Sequence, residues 1–297
     1  MAAQIVAGYD GSAEAAAAVR WAARQASLRD AGLAVVHCSL WPAFTHDLGP
    51  VPGIAGSGLR HAAEAVLAEG AALAREASTD LPVSPVLKYG WPASVLRELS
   101  SDAGMLVVGS RGIGGFMGLM VGSVSLELAA TADCPIAVIR GTGQEGGPVV
   151  VGVDADDRGQ EDPPQWEPAV RQACALATST GSELRVVHVQ HKHGGRHRAA
   201  ESAEAIRPED LLDDVVRATR RWAPDLDVQT RLLTGASLAG TLLDAARDAS
   251  AIVVGTHGRG VVRGSIGSTA HAVLHHAGCP VLVVRPAGPF RPVTARA

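Results

Sequence analysis

Short apolar runs alternate along the chain with longer stretches in which small apolar residues recur every three or four positions. The run Met105–Val108 is apolar without a polar break, which is typical of parallel strands covered on both faces. Ala169, Ala173 and Ala177 show the spacing of a helix that packs by one face. This alternation predicts an α/β fold with helices on both faces of a parallel sheet.

The predicted elements form two similar sets. Strands of the first half are predicted at 4–9, 33–38, 83–88, 105–109 and 136–140. Helices between them begin near Ser12, Ser57, Pro92 and Ser123. Strands of the second half are predicted at 148–153, 184–189, 228–233, 251–255 and 281–285. Each half is therefore expected to form a doubly wound, five-stranded parallel sheet with right-handed crossovers.

An internal repeat relates the two halves. The clearest matches pair Val6–Asp10 with Val150–Asp154, Leu106–Gly112 with Ile252–Gly258, and Cys134–Arg140 with Cys279–Arg285. These blocks keep their order at offsets of roughly 145 residues, as expected of a tandem duplication. Residues 1–143 and 147–290 are predicted to be two copies of one domain. The intervening Gly141–Gly147 has a flexible composition with nothing to bury.

Composition narrows the class of protein. The 297 residues are 47% hydrophobic and 19% charged, which fits two globular domains, and the 3% aromatic content predicts cores of Ala, Val, Leu and Ile. The net charge of −4 argues against nucleic acid as the main partner. No signal-peptide pattern and no apolar run of the ~18 residues of a membrane span is seen. Together with four dispersed cysteines, this predicts a cytoplasmic protein with free thiols.

Candidate binding residues lie where an open parallel sheet binds ligands, outside the carboxyl ends of its strands. In each half an aspartate, Asp10 or Asp154, follows the first strand, and a glycine-rich stretch follows the fourth. Gly109 and Gly112 allow close backbone approach to a ligand. A helix that starts after Gly122 offers free N–H groups to an anion, and Ser123 and Ser125 add hydroxyls. The stretch is interpreted as a phosphate-binding loop, the alternative being a turn followed by an ordinary N-cap.

The loop lacks the lysine of a GxxxxGK[ST] P-loop, because the chain's two lysines are Lys88 and Lys192. Phosphate held only by backbone and hydroxyl groups favours binding over fast transfer. No catalytic residue and no metal ligand is assigned. A Ser-His-Asp arrangement is not recognised, and the run that contains His191, His193 and His197 is expected to be a solvated loop.

Gly109, Gly112, Gly122 and Ser123 fit the pattern G-x2-G-x9-G-[ST], and the whole chain resembles a tandem member of the universal stress protein family. The resemblance implies ATP as ligand, with Mg²⁺ offsetting part of its charge. It implies an adenine contact at Asp10, within the phrase that begins at Gly8, helped by main-chain atoms near Cys38. It places the ribose and phosphates against Gly109, Gly112, Gly122, Ser123 and Val124.

The second half departs from this pattern. Its corresponding residues are Gly152, Asp154, Val189, Gly255, Gly258, Gly267 and Ser268. Eight residues instead of nine separate Gly258 from Gly267, which could move N–H donors by an ångström or more. An insertion after Asp154 makes a cluster of five acidic residues, Asp154 included, beside the presumed adenine pocket, and this cluster opposes a triphosphate. Nucleotide binding is therefore expected more strongly in the first half.

Three functions remain open at this point. The favoured one is an ATP-dependent stress-response or signalling module, and the alternatives are a slow ATPase or phosphoryl-transfer enzyme and a nucleotide-free scaffold. In the family the last strands commonly pair antiparallel, so Ile136–Ile139 and Val281–Val284 are expected to join the halves as a pseudo-dimer, with a homodimer also conceivable.

Smaller features carry their own expectations. His37 and His188 are expected to be hydrogen-bonded, partly buried imidazoles, and His275 with His276 to cap the last helix when charged. Cys134 and Cys279 are expected to be buried, with redox sensing as the minority alternative. The long connection from Leu40 to Ser57 is expected to cover the nucleotide or to contact a partner.

Overall fold

The computed structural model describes residues 4–40, 55–113, 120–154, 164–191, 207–256 and 265–285. The chain divides into two compact units, the first ending at Ile139 and the second beginning at Arg140. Each unit is an α/β structure built on five parallel strands, as the sequence predicts. No helix in these ranges is both long enough and apolar enough to cross a bilayer.

The described residues of the first unit form five strands and four helices in strict alternation. Its strands are β1 (Ile5–Gly8), β2 (Leu33–Ser39), β3 (Val83–Tyr89), β4 (Met105–Gly109) and β5 (Ile136–Ile139). Its helices are α1 (Ala13–Leu28), α2 (Ala55–Ala77), α3 (Pro92–Leu99) and α4 (Ser123–Thr131). The predicted strands are therefore confirmed to within about two residues at each end, the usual uncertainty of element boundaries.

The strand order of this unit is β3-β2-β1-β4-β5, with every pair parallel. Right-handed crossovers put α1 and α2 on one face and α3 and α4 on the other, and each of these pairs is in contact. The strand order reverses between β1 and β4, so the carboxyl ends of these two strands form the crevice at which such folds bind ligands.

The second unit repeats this arrangement. Its strands are β6 (Val149–Val153), β7 (Leu184–His191), β8 (Val228–Gly235), β9 (Ala251–Gly255) and β10 (Val281–Val284). Its helices are α5 (Glu167–Thr180), α6 (Pro208–Trp222), α7 (Leu238–Ala245) and α8 (Ser268–His276). The order is β8-β7-β6-β9-β10, again parallel throughout. The crevice here lies between β6 and β9.

Small apolar side chains build both cores, as composition predicts. Strands β4, β5 and β10 are buried along their whole length. On α5 the predicted stripe of Ala169, Ala173 and Ala177 is buried. The largest fully buried side chains of the described residues are Ile, Leu and Met, with Tyr9 and Trp21 as buried aromatic exceptions.

The glycine-rich segment Gly141–Gly147 lies at the predicted seam, where the second unit begins, but it packs as a strap on that unit instead of having nothing to pack against. The N–H of Gln144 donates to the carbonyl oxygen of Ala249 over 3.0 Å. Gly143 has a positive φ of 67°, and a Cβ there would lie 2.5 Å from the carbonyl oxygen of Ser250. A Cβ on Gly141 would likewise overlap the carbonyl oxygen of Gly278, and a Cβ on Gly147 would overlap that of Asp248. These glycines serve close backbone approach rather than freedom of movement.

Candidate functional site

Asp10 follows β1 and joins the two segments that meet at the crevice of the first unit. Its Oδ1 accepts a hydrogen bond from the N–H of Ser12 over 3.0 Å. Its Oδ2 accepts one from the N–H of Ile113, also over 3.0 Å, in the stretch that follows β4. Ser12 in turn caps α1, since its hydroxyl oxygen accepts from the N–H of Ala15. One carboxylate therefore orders both the start of α1 and the glycine-rich stretch.

Two predicted glycines are required by the packing of this stretch. A Cβ on Gly109 would lie 2.7 Å from the carbonyl carbon of Glu14, so the first turn of α1 rests directly on the end of β4. A Cβ on Gly112 would overlap Oδ2 of Asp10. Any side chain at either position would force the two segments apart. The structure thus brings Gly112 beside Asp10 and Gly109 against the first turn of α1.

The glycine-rich stretch is closed at its far end by a backbone hydrogen bond. The N–H of Gly122 donates to the carbonyl oxygen of Ser110 over 2.7 Å. Gly122 is the N-cap of α4, and no side chain caps this helix. The first N–H groups of α4, at Ser123 and Val124, therefore lie at the positive end of the helix dipole, on the side of the crevice. This is the geometry that a helix start needs to bind an anion.

Ser125 does not supply the phosphate hydroxyl that the sequence suggested. Its side chain is 3% exposed, and the hydroxyl donates to the carbonyl oxygen of Gly109 over 2.8 Å. Ser125 therefore fixes α4 to the end of β4 from inside the core. The prediction for Ser125 is wrong because it lies two positions after Ser123, about half a helical turn, which directs its side chain to the opposite face of the helix.

The adenine side of the predicted site lies at the ends of β1 and β2. Leu96 of α3 packs on Gly8, where a Cβ would lie 3.2 Å from its Cδ1. His37 Nδ1 donates to the carbonyl oxygen of Tyr9 over 2.8 Å, which pins the chain just before Asp10. The prediction of a hydrogen-bonded imidazole is confirmed here, and His188 repeats it on the carbonyl oxygen of Val153 over 2.9 Å.

The ionisable groups at this edge favour neutral forms. Burial, together with the nearby acid Glu69, raises the pKa of Tyr9 to about 12. Burial likewise raises the pKa of the Cys38 thiol to about 11, opposed by the charge of Lys88. Both side chains are therefore uncharged at neutral pH. Cys38 would offer a ligand its main chain rather than a thiolate.

In the second unit the corresponding frame is present. Leu242 packs on Gly152 as Leu96 packs on Gly8. The N–H of Gly267 donates to the carbonyl oxygen of Thr256 over 2.9 Å, so the shorter loop is closed in the same way. Gly267 is the N-cap of α8, with φ −62° and ψ 151° against −76° and 156° at Gly122. Deletion of one residue has therefore left the start of the helix unchanged.

Other predicted residues of the second site have varied outcomes. Gly255 ends β9, Ser268 begins α8, Val189 lies in β7, and Asp154 directly follows β6. Gly258 and most of the acidic insertion lie outside the described residues, as do His193, His197 and most of the connection from Leu40 to Ser57. Ala270 stands where the first unit has Ser125, so the bond from helix to strand end has no counterpart.

The predicted helix cap by His275 and His276 is wrong, because Arg140 takes that role. Its guanidinium donates to the carbonyl oxygen of Leu274 over 3.3 Å and to that of His275. Burial lowers the pKa of His275, and the positive charges of His271, His276 and Arg140 lower it further. An imidazole that resists protonation is a poor partner for the negative end of a helix dipole.

The cysteine prediction is confirmed as to burial. Cys134 and Cys279 are 8% and 3% exposed, and burial raises the pKa of the Cys279 thiol to about 11. The minority alternative of redox sensing requires an accessible thiolate. A buried thiol with this pKa does not provide one.

Several residues of the site were missed from the sequence. Arg111 forms an ion pair with Glu14 across the crevice, and the amide of Ile113 binds Asp10. The Asp10-Gly11-Ser12 sequence carries a signal for part of this, since an aspartate before a glycine commonly binds the N–H two residues ahead. Nothing in the sequence pairs residues 10–14 with 111–113, because that proximity comes from the β1–β4 pairing.

Comparison with known proteins agrees with the fold and the duplication. The model of the universal stress protein family matches residues 1–140 and again 147–285. A universal stress protein of Mycobacterium tuberculosis is 32% identical over 297 residues, covering 95% of this chain and 96% of that protein. A universal stress protein structure from Archaeoglobus fulgidus has a TM-score of 0.68 at 19% identity and covers 96% of this chain and 97% of its own.

A shorter universal stress protein from the same archaeon, described as a complex with dAMP, is 25% identical and covers 48% of this chain and 99% of its own, with a TM-score of 0.34.

Two five-stranded parallel units with glycine-rich loops at the strand-order reversal define a tandem doubly wound α/β protein. The chain belongs to the universal stress protein family, with two copies of the family's domain in tandem. The resemblance noted from the sequence is thereby confirmed.

Proposed function

We propose that the chain is an ATP-binding universal stress protein whose first unit holds the nucleotide. The observation that carries this proposal is the closed loop between β4 and α4. In it Gly112 lies beside Asp10, Gly109 lies against the first turn of α1, and the uncapped start of α4 lies at the same crevice. Glycines for close approach and a free helix start are the two elements that hold phosphate in α/β nucleotide sites.

Under this proposal the N–H groups of Ser123 and Val124 and the hydroxyl of Ser123 bind the phosphates. The base lies toward the ends of β1 and β2, near Asp10 and the main chain of Cys38. No lysine lies in the loop, and its one arginine, Arg111, is paired with Glu14, so the phosphates meet mainly dipoles and hydroxyls. Such a site suits retention of a nucleotide as a signal of cellular state. We propose a binding module rather than a fast enzyme on this ground.

The second unit is proposed as the weaker site. Its loop closure and helix start match the first unit, but the acidic residues after Asp154 oppose a polyphosphate. Binding there would depend more strongly on Mg²⁺ than binding in the first unit.

The test is to purify the protein without added nucleotide, denature it, and identify the released small molecules by mass spectrometry. Gly122→Glu places a carboxylate at the start of α4, and its Cβ meets the nearest heavy atoms at an ordinary 3.6 Å. Gly278→Glu is the matched control, since a Cβ there has no heavy atom within 4 Å and the position lies in the other unit. Titration of the stripped proteins with ATP and Mg²⁺ completes the experiment.

We expect adenine nucleotide from the wild type and from Gly278→Glu, and its loss from Gly122→Glu. One nucleotide per chain would mean that the first unit alone is occupied, and two would mean that both sites bind. A wild type that releases nothing and does not bind ATP with Mg²⁺ would show the proposal to be wrong. Phosphate release from ATP, measured in the same samples, would reveal hydrolysis.

A further inference from the structure

Asp10 makes two hydrogen bonds of different kinds. The bond from Ser12 is local and belongs to the turn that starts α1. The bond from Ile113 joins segments 103 positions apart and fixes the backbone of the glycine-rich stretch. Each has a donor–acceptor distance of 3.0 Å, and each joins an N–H to an oxygen of an acidic side chain. Bonds of this kind are stronger than those between neutral groups.

The chain is built to let these segments meet. Gly112 carries no Cβ where one would overlap Oδ2 of Asp10. Gly11 has a φ of 88°, and a Cβ there would lie 3.7 Å from Cδ1 of Ile113. Glycine at position 112 therefore opens the space in which the carboxylate reaches the loop, and glycine at position 11 permits the left-handed backbone that precedes Ser12. The contact is therefore built into the local packing, because it requires a residue without a side chain at position 112.

We propose that Asp10 is a positioning residue for the phosphate loop, acting on the phosphates through the backbone of Gly112 and Ile113. This inference rests on the proposed function and deepens it. It differs from the adenine contact that the family resemblance implies. A tether of the loop affects ligands according to their phosphates, whereas a contact to adenine affects every adenine ligand equally.

Asp10→Asn is the variant that separates these roles. The amide keeps the size of the side chain but has one acceptor oxygen, so it cannot accept from both Ser12 and Ile113 through separate oxygens. The substitution also removes a negative charge near the site. That change alone would strengthen the binding of a phosphate. Weaker ATP binding by the variant therefore has the opposite sign from a simple charge effect.

The experiment measures the affinities of wild type and Asp10→Asn for adenosine, AMP, ADP and ATP by calorimetry. Loss of one hydrogen bond to a charged group predicts that Kd for ATP rises about tenfold or more, while Kd for adenosine changes less than about threefold. An equal loss for adenosine and ATP would assign Asp10 to the base and overturn the proposal. Unchanged or tighter ATP binding would overturn it as well.

A second measurement needs no nucleotide. Amide hydrogen exchange at Ile113 reports the tether directly, and we expect it to become about tenfold faster in Asp10→Asn, as loss of a hydrogen bond of this strength implies. Glu14→Gln is the control, because it removes the partly exposed ion pair to Arg111 between the same segments. Such pairs contribute little, so exchange should change less than about twofold.

The two measurements keep the failures apart. A wild type that binds none of the four ligands contradicts the proposed function. In that case exchange at Ile113 still decides whether Asp10 tethers the loop. Exchange that is unchanged in Asp10→Asn overturns the tether even if ATP binds.

Discussion

Asp30 and Gly181 occupy the same left-handed backbone position at the ends of two equivalent helices. Asp30 follows α1 with a φ of 49°, and Gly181 follows α5 with a φ of 63°. Each N–H donates to the carbonyl oxygen three residues before it, at 3.2 Å in Asp30 and 3.3 Å in Gly181. Glycine adopts this conformation without steric strain, whereas an L-residue is strained, although aspartate tolerates it better than most.

Exchange of these two residues should therefore change stability in opposite directions. Asp30→Gly is expected to stabilise the protein by up to about 1 kcal/mol, and Gly181→Asp to destabilise it by a similar amount. Urea unfolding of each variant measures both effects. Shifts of the two midpoints in the same direction would contradict the backbone explanation.

The strap glycines offer a second test, which separates backbone conformation from steric overlap. Gly143 and Gly146 have φ of 67° and 72°, but a Cβ on Gly143 would lie 2.5 Å from the carbonyl oxygen of Ser250, and one on Gly146 has nothing within 4 Å. Gly146→Ala should cost about 1 kcal/mol for the left-handed conformation. Gly143→Ala should cost roughly 1–3 kcal/mol more, because backbone must move.

Thermal unfolding and hydrogen exchange at Gln144 measure the two strap variants. The amide of Gln144 binds Ala249, so its exchange should accelerate in Gly143→Ala and not in Gly146→Ala. Equal effects of the two substitutions would mean that the strap can leave the second unit without loss.

The buried arginine of the second unit carries a third prediction. Arg185 is 6% exposed and donates to both carboxylate oxygens of Asp248, at 2.7 Å and 3.1 Å, and to the carbonyl oxygen of Ala245. Asp248→Asn should cost about 2 kcal/mol, because the buried guanidinium loses its bidentate partner and keeps only the more distant carboxylate of Glu183. Asp244→Asn breaks the exposed Asp244–Arg247 pair instead and should cost less than about 0.5 kcal/mol.

This pair also predicts a pH dependence. The hydrogen bond from Arg185 lowers the pKa of Asp248 below its ordinary value of 3.8. Its contribution to stability is thus complete above that pH and is lost as the pH falls through the lower pKa of the folded state. The difference in stability between wild type and Asp248→Asn should shrink only in strongly acidic solution. A difference that vanishes already near neutrality would contradict the assignment.

A fourth prediction concerns the histidines beside Arg140. The pKa of His275 is below its ordinary value of 6.5, so the fold prefers the neutral imidazole. The stabilisation is present above pH 6.5 and is lost as the pH falls through the lower pKa of the folded state. His275→Gln should make the unfolding free energy fall less steeply on acidification below that pH. Wild type and His276→Gln, at an exposed position, serve for comparison.

Retention of the full pH dependence in His275→Gln would show that His275 is not its source.

The positions of the strands could be predicted from the sequence because burial on both faces leaves a direct mark on it. Met105–Gly109 and Ala251–Gly255 match their predicted bounds, since each is an apolar run that ends at a glycine. The glycines of the first loop were predictable for a similar reason. Their spacing records a backbone that must pass close to other atoms, and the closed loop shows those atoms to include Asp10 and Glu14.

What could not be predicted depends on partners distant in sequence. A glycine in Gly141–Gly147 looks the same whether it provides freedom or close approach, and only the carbonyl oxygens at 248–250 decide. The hydroxyl of Ser125 suits a phosphate until the carbonyl oxygen of Gly109 is placed beside it. Likewise His275 is a reasonable helix cap until Arg140 is found on the same carbonyl groups.

The backbone bonds Ser110–Gly122 and Thr256–Gly267 turn each glycine-rich stretch into a ring with fixed ends. Because the two ends of such a loop are fixed by their own hydrogen bond, the loop can gain or lose residues while the helix that follows it stays in place. Doubling the length of such a ring costs only about 0.6 kcal/mol of closure entropy. Under the proposed function, the ligand preference of each crevice can therefore change through the length and sequence of its loop alone. The two copies of the domain can bind different ligands without a change in the fold of either.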